Sequence, residues 1–165
     1  MAAVENGSVE EALARLGLEL PAVVPPVAAY QPAVLSGEYV YTSGQLPMVA
    51  GALVATGKVG AEVDPGQAYD LARICALNAL AAVASVAPLD RVVQIVKVVG
   101  FVASAPDFTG QPKVVNGASE LLGEVFGEAG THARSAVGVA VLPLDAPVEV
   151  ELIARLAPSA KTVLV

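Results

Sequence analysis

Apolar and polar residues change period several times along the chain, and each change marks an element. Ser8-Val9-Glu10-Glu11 carries the Ser-x-x-Glu capping pattern, which predicts a short helix over about 9–16 with Gly17 at its C-terminal stop. Prolines at 21, 25, 26 and 32 make the next stretch an extended lead-in. Short β-branched and aromatic runs predict strands over 33–37 and 39–43 around a Gly37-Glu38 turn, and a weaker one over 51–55. Asp64-Pro65 is a helix start, Asp as N-cap and Pro at the first helical position. The helix should run over 65–86, with Leu71, Ile74, Leu77 and Leu80/Ala81 as its apolar stripe, and Pro88 beyond its end.

Residues 91–103, RVVQIVKVVGFVA, are nearly continuously apolar and β-branched, which predicts a central strand covered on both faces. Val114, Ala118, Leu121/Leu122 and Val125 recur at helical spacing and predict a second helix over 111–126. Gly117 and Gly123 weaken that helix intrinsically and point to close packing. The stretch from His132 to Arg155 reads as two strands joined by a short turn at 142–147, whose two prolines cannot serve a central ladder. Val148-Glu149-Val150-Glu151-Leu152 alternates with period two, so both glutamates face one side. A guanidinium, Arg134, and a carboxylate pair are thus expected on neighbouring strands. The order β-β-(β)-α-β-α-β-β fits an α+β fold, a mixed and largely antiparallel sheet covered on one face by two helices. The bare sheet face would then need a partner.

Composition sharpens this picture. Of 165 residues, 55% are hydrophobic and only 15% charged, so an apolar subunit interface is expected. The formal net charge of −7, with nine Lys and Arg and no Trp, argues against nucleic-acid binding and against a stacking platform for single strands. No apolar run is long enough to span a bilayer, and the acidic N-terminal stretch lacks the basic and apolar regions of a signal peptide. A soluble, cytoplasmic protein is the expectation. The lone Cys75 lies in an apolar helical run and reads as a small buried hydrophobe. There is no phosphate loop, no Cys/His cluster for a metal and no Ser-centred nucleophile elbow. His132, with no acid beside it in sequence, reads as a surface or packing residue.

Several motifs, taken in order, resemble the RidA (YjgF) family: Tyr41-Thr42-Ser43-Gly44-Gln45-Leu46-Pro47, Gln67 and Asn78 on one helix, Asp107-Phe108 ahead of Asn116, Ala133-Arg134-Ser135, and Leu142-Pro143 leading to Val148-Glu149-Val150-Glu151. The resemblance covers about 30–156. It implies a chorismate-mutase-like fold of the bacillary type, assembled as a homotrimer around a central barrel, with ligand clefts between adjacent subunits. It divides the chain into an N-terminal helix and lead-in packed on the core (1–29), a RidA-like domain (30–157) and a tail (158–165).

The activity it implies is hydrolytic deamination of reactive enamines or imines such as 2-aminoacrylate, giving a 2-keto acid and ammonia without metal or organic cofactor. Arg134 aligns with the arginine that holds the substrate carboxylate, and Glu149 rather than Glu151 with the carboxylate that positions the attacking water. Tyr30, Ser43, Gly44, Asn116 and Ala136 align with substrate-binding positions, and Gln45 with the cleft floor. Ala136 stands where many relatives have Cys, so backbone would serve there. A non-catalytic binder of 2-keto acids is the alternative reading, and an endoribonuclease a less favoured one.

Overall fold

The computed structural model describes residues 8–23 and 29–158. Three helices, α1 (Val9–Arg15), α2 (Pro65–Ala84) and α3 (Gln111–Phe126), accompany seven strands. These are β1 (Ala33–Ser36), β2 (Tyr39–Thr42), β3 (Met48–Val49), β4 (Ala52–Leu53), β5 (Val92–Ala103), β6 (Ala133–Val139) and β7 (Val148–Leu156). Local signals act where the residues put them. Ser8 and Glu11 close a reciprocal capping box on α1, and Gly17 ends that helix with positive φ. The Asp64 carboxylate accepts from the Gly66 N–H at 2.8 Å and starts α2.

The main sheet has the order β1-β2-β7-β5-β6, antiparallel throughout except for the parallel β5–β6 pair. A parallel pair needs a crossover, and α3 supplies it. The weak strand at 51–55 shrinks to β4, which pairs with the unexpected β3 in a separate two-stranded ladder. Residues 158–165 fall almost wholly outside the described residues, as do 24–28 of the lead-in and 1–7 at the N-terminus.

Two expectations about the sheet are corrected. The Arg134 and Glu149 strands are not neighbours: β5 lies between them, pairing Val98 with both Arg134 and Leu152. The connection 140–147 is too long for a tight hairpin turn and crosses the end of β5, where the Ala103 N–H reaches the Pro147 carbonyl at 2.9 Å. Nor is β5 covered on both faces within the chain. Val92, Ile95, Val98, Gly100 and Val102 are buried under the helices, whereas Val99 and Phe101, on the other face, are half-buried.

The core lies between this sheet and α2/α3, with Leu71, Leu80, Leu121, Leu122 and Val98 almost fully enclosed. Of the expected α2 stripe Leu71, Leu80 and Ala81 are buried, while Ile74 and Leu77 are half-buried; Ala68, Ala72, Cys75, Ala76 and Ala79 share the buried side. Small residues let α2 approach its neighbours. A Cβ at Gly117 would fall 2.0 Å from the Tyr69 carbonyl oxygen, so α3 needs glycine where it meets α2. Gly123 departs from the expectation of close packing, since a Cβ there would meet nothing within 4 Å. Gly100 lets the Val115 side chain settle onto β5. The opposite sheet face exposes Val34, Tyr39, Tyr41 and Val137.

Candidate functional site

Arg134 lies on β6, an edge strand, with its side chain turned toward α3. Pro112, Asn116 and Ser119 follow one another at i, i+4 and i+7 on that helix, so they share a face. All three engage the guanidinium. Nη1 donates to Asn116 Oδ1 at 2.8 Å and to Ser119 Oγ at 3.1 Å, and Nη2 donates to the Pro112 carbonyl at 3.3 Å. An arginine has five N–H donors. Three are engaged, and the other two have no partner among the described residues. Arg134 also lines an open pocket of about 290 Å³ with Ser119, Gly123, Gly130, Thr131 and His132. Ala136 follows two residues later on the same face of β6, half-buried against the core.

Glu149 belongs to another place. It lies on β7, where Val148, Val150, Leu152 and Ala154 point to the helices and Glu149 and Glu151 to the open face, as the alternation requires. Its register partner is Phe101. Gly44 makes the room it occupies: a Cβ at 44 would sit 1.7 Å from Glu149 Oε1. The chain is held there because Gln45 exchanges backbone hydrogen bonds with Val150, at 2.8 and 3.0 Å. The Thr42 hydroxyl accepts from the Leu152 N–H at 3.0 Å and bridges the irregularity between β2 and that contact.

No hydrogen bond or ion pair reaches the Glu149 carboxylate among the described residues. Burial raises its pKa from the ordinary glutamate value, and the Glu151 charge raises it further. Ser43 donates to the Gln31 carbonyl at 2.7 Å and so ties the segment preceding β1, where Tyr30 is exposed, to the Gly44 corner.

The structure therefore sorts the expected site residues into two groups. Arg134, Asn116 and Ala136 gather at the α3–β6 edge. Ser43, Gly44 and Glu149 gather at the β2–β7 corner, with Tyr30 tethered beside them. Within one chain Arg134 and Glu149 occupy opposite faces of the sheet. Two participants escaped sequence reasoning. Ser119 lies three residues after Asn116 on the same helical face, a spacing that would have found it. His132 is far from Ser119 in sequence, yet its ring stands against the Ser119 hydroxyl at 2.9 Å. Cys75 is buried, its thiol 3.6 Å from the Val148 carbonyl and its pKa pushed well up by burial, which suits packing rather than nucleophilic attack. Among the described residues no group of His, Cys, Asp and Glu is arranged to hold a metal ion, and no helix is long and apolar enough to cross a membrane.

Residues 10–156 match the family model described as "YjgF/chorismate mutase-like, putative endoribonuclease". Protein TCP17 of Trypanosoma cruzi is 45% identical over 160 residues, covering 94% of this chain and 99% of its own length. The crystal structure of Atu1372 from Agrobacterium tumefaciens, a protein of unknown function, is 43% identical with a TM-score of 0.82, covering 91% of this chain and 94% of that one. A "putative endoribonuclease" from Shewanella oneidensis is 36% identical with a TM-score of 0.87, covering 91% of this chain and all of its own.

Proposed function

Because the chain belongs to the YjgF/chorismate mutase-like family, we propose that it hydrolyses short enamines or imines of the 2-aminoacrylate type to a 2-keto acid and ammonia. The observation that carries this reading is Arg134: a guanidinium anchored by three hydrogen bonds, with two donors unpartnered among the described residues. Two parallel N–H donors are what a carboxylate takes.

The second requirement is a base near the imine carbon, and Glu149 offers a half-buried carboxylate with no hydrogen-bond partner among the described residues, its proton affinity raised by burial. An enamine would first take a proton from solvent at its terminal carbon to become the iminium ion, and Glu149 would then accept a proton from water as its oxygen attacks the iminium carbon. It would return that proton to the nitrogen of the carbinolamine. It would then take the hydroxyl proton as the C–N bond breaks, releasing the keto acid, and ammonia would carry that proton away as ammonium. Tyr30, Ser43, Gly44, Asn116 and Ala136 would line the cleft.

Glu149 faces away from Arg134 in the same chain, so the cleft would combine Arg134 of one copy with Glu149 of the next. The exposed Val34, Tyr39, Tyr41 and Val137 on the open sheet face supply an apolar surface for that assembly, which we take to be a homotrimer. The endoribonuclease description finds little physical support here, with nine basic residues against sixteen acidic ones. A keto-acid binder without turnover is the second reading, favoured by the separation of the two groups within one chain.

Pyruvate release from 2-aminoacrylate generated in situ tests the proposal. Acceleration by the wild-type protein and its loss in Arg134→Ala are expected. Undiminished release by that variant would overturn the assignment, and keto-acid binding without acceleration would favour the binder.

A further inference from the structure

Resting on the reading of Arg134 as a carboxylate clamp, we propose that Ser119 and His132 are specificity-determining positioning residues, a hydrogen-bonded relay that aims the clamp at short-chain 2-keto acids in the cavity between α3 and β6. The relay is set by what each atom can do. The Gly130 carbonyl can only accept, and His132 Nδ1 lies 2.6 Å from it, so Nδ1 carries a hydrogen. In the neutral ring Nε2 is then an acceptor, and it takes the Ser119 hydroxyl hydrogen at 2.9 Å. With its hydrogen so directed, Ser119 Oγ turns its lone pairs to Arg134 Nη1 at 3.1 Å. Asn116 Oδ1 takes the other Nη1 hydrogen. One end of the guanidinium is thereby fully engaged, and its rotation is restricted from both sides.

Backbone geometry supports the same arrangement independently. Gly130 must be glycine for its carbonyl to reach the ring, because a Cβ there would lie 2.3 Å from the Leu122 carbonyl oxygen. Gly123, one further turn along the Pro112-Asn116-Ser119 stripe, leaves open space where a side chain would enter the cavity. One glycine seats the relay and the other keeps the cavity free.

The test compares calorimetric binding of 2-oxobutyrate with that of its amide, on the full chain. Wild type should bind the acid and discriminate against the amide. Ser119→Ala and His132→Ala should each weaken acid binding about tenfold and leave amide binding unchanged, so that selectivity falls. Ser119→Thr, which keeps the hydroxyl, should restore it, and Gly123→Leu should exclude both ligands. If Arg134→Ala loses the acid while Ser119→Ala and His132→Ala keep wild-type affinity and selectivity, the relay is refuted and the clamp stands. If wild type binds no acid, or Arg134→Ala binds it normally, the clamp itself is wrong. The relay is then judged without ligand. His132 is the sole histidine, so its imidazole nitrogens give one set of NMR signals. A hydrogen on Nδ1 that persists in Arg134→Ala supports the His132–Ser119 half of the relay only, and a ring protonated on Nε2 alone refutes the relay.

Discussion

The α3–β6 edge and the β2–β7 corner are opposites in how they treat a charge. At the edge, Arg134 is surrounded by acceptors drawn from one helical stripe, and its neighbours are themselves hydrogen-bonded. At the corner, Glu149 is partly desolvated and has no hydrogen-bond partner among the described residues. The first region holds its group in place before any ligand arrives. The second leaves its group waiting, at a cost in solvation that the single chain does not offset. The difference teaches that hydrogen bonds within the chain hold the group at the edge and not the one at the corner, as the proposed sharing of a cleft between copies would require.

Removing the edge's group gives the largest effect. Two charge-assisted bonds at about 1.5–3 kcal/mol each imply that Arg134→Ala lowers kcat/KM for imine hydrolysis by roughly 10²–10⁴-fold, measured by pyruvate release. Glu149→Gln should come next, with kcat down about 10²–10³-fold and keto-acid affinity nearly kept, because proton transfer and not carboxylate binding is lost.

The same substitution has a stability signature of defined sign. The folded-state pKa of Glu149 is raised, so the folded state favours the protonated acid. The contribution to stability is complete below the ordinary glutamate range and is lost as pH rises through the raised value. Glu149→Gln should therefore raise Tm at neutral pH and lose that advantage in acid, which thermal unfolding across pH would show.

Two glycine substitutions sharpen the contrast at smaller amplitude. Gly44→Ala collides with the movable end of Glu149, so it should displace the carboxylate and cut turnover about tenfold while Tm changes little. Gly117→Ala collides with backbone at the α2–α3 contact instead. It should cost about 1–3 kcal/mol in unfolding free energy and leave the kcat of the folded protein unaltered.

How much of this could be read from residues alone depended on how local the cause was. The Ser8–Glu11 cap, Asp64-Pro65 and the apolar period of α3 are set within a few residues of themselves, and the structure has them where the chain indicates. Glu149 and Glu151 share a face for the same reason. The adjacency of β6 and β7 was misread because consecutive strands usually pair, whereas β5, apolar at nearly every position, takes the place between them. On α2, Leu71, Leu80 and Ala81 are buried as the period indicates, but Ile74 and Leu77 are only half-buried, because alanines and Cys75 share the packed side and the stripe weighs size over close approach. The meeting of His132 with Ser119 depends on how the Gly127–Gly130 turn returns the chain from α3 to β6, which no periodicity encodes.

The most direct test of a cleft shared between copies is subunit mixing. Arg134→Ala and Glu149→Gln chains, each inactive alone, are co-expressed in equal amounts and assayed together for pyruvate release. Random assembly places an intact Arg134 opposite an intact Glu149 at about one interface in four, so roughly a quarter of wild-type activity should return. If the mixture stays as inactive as its parents while the subunits demonstrably co-assemble, the two groups do not serve one cleft across the interface, and the account is contradicted.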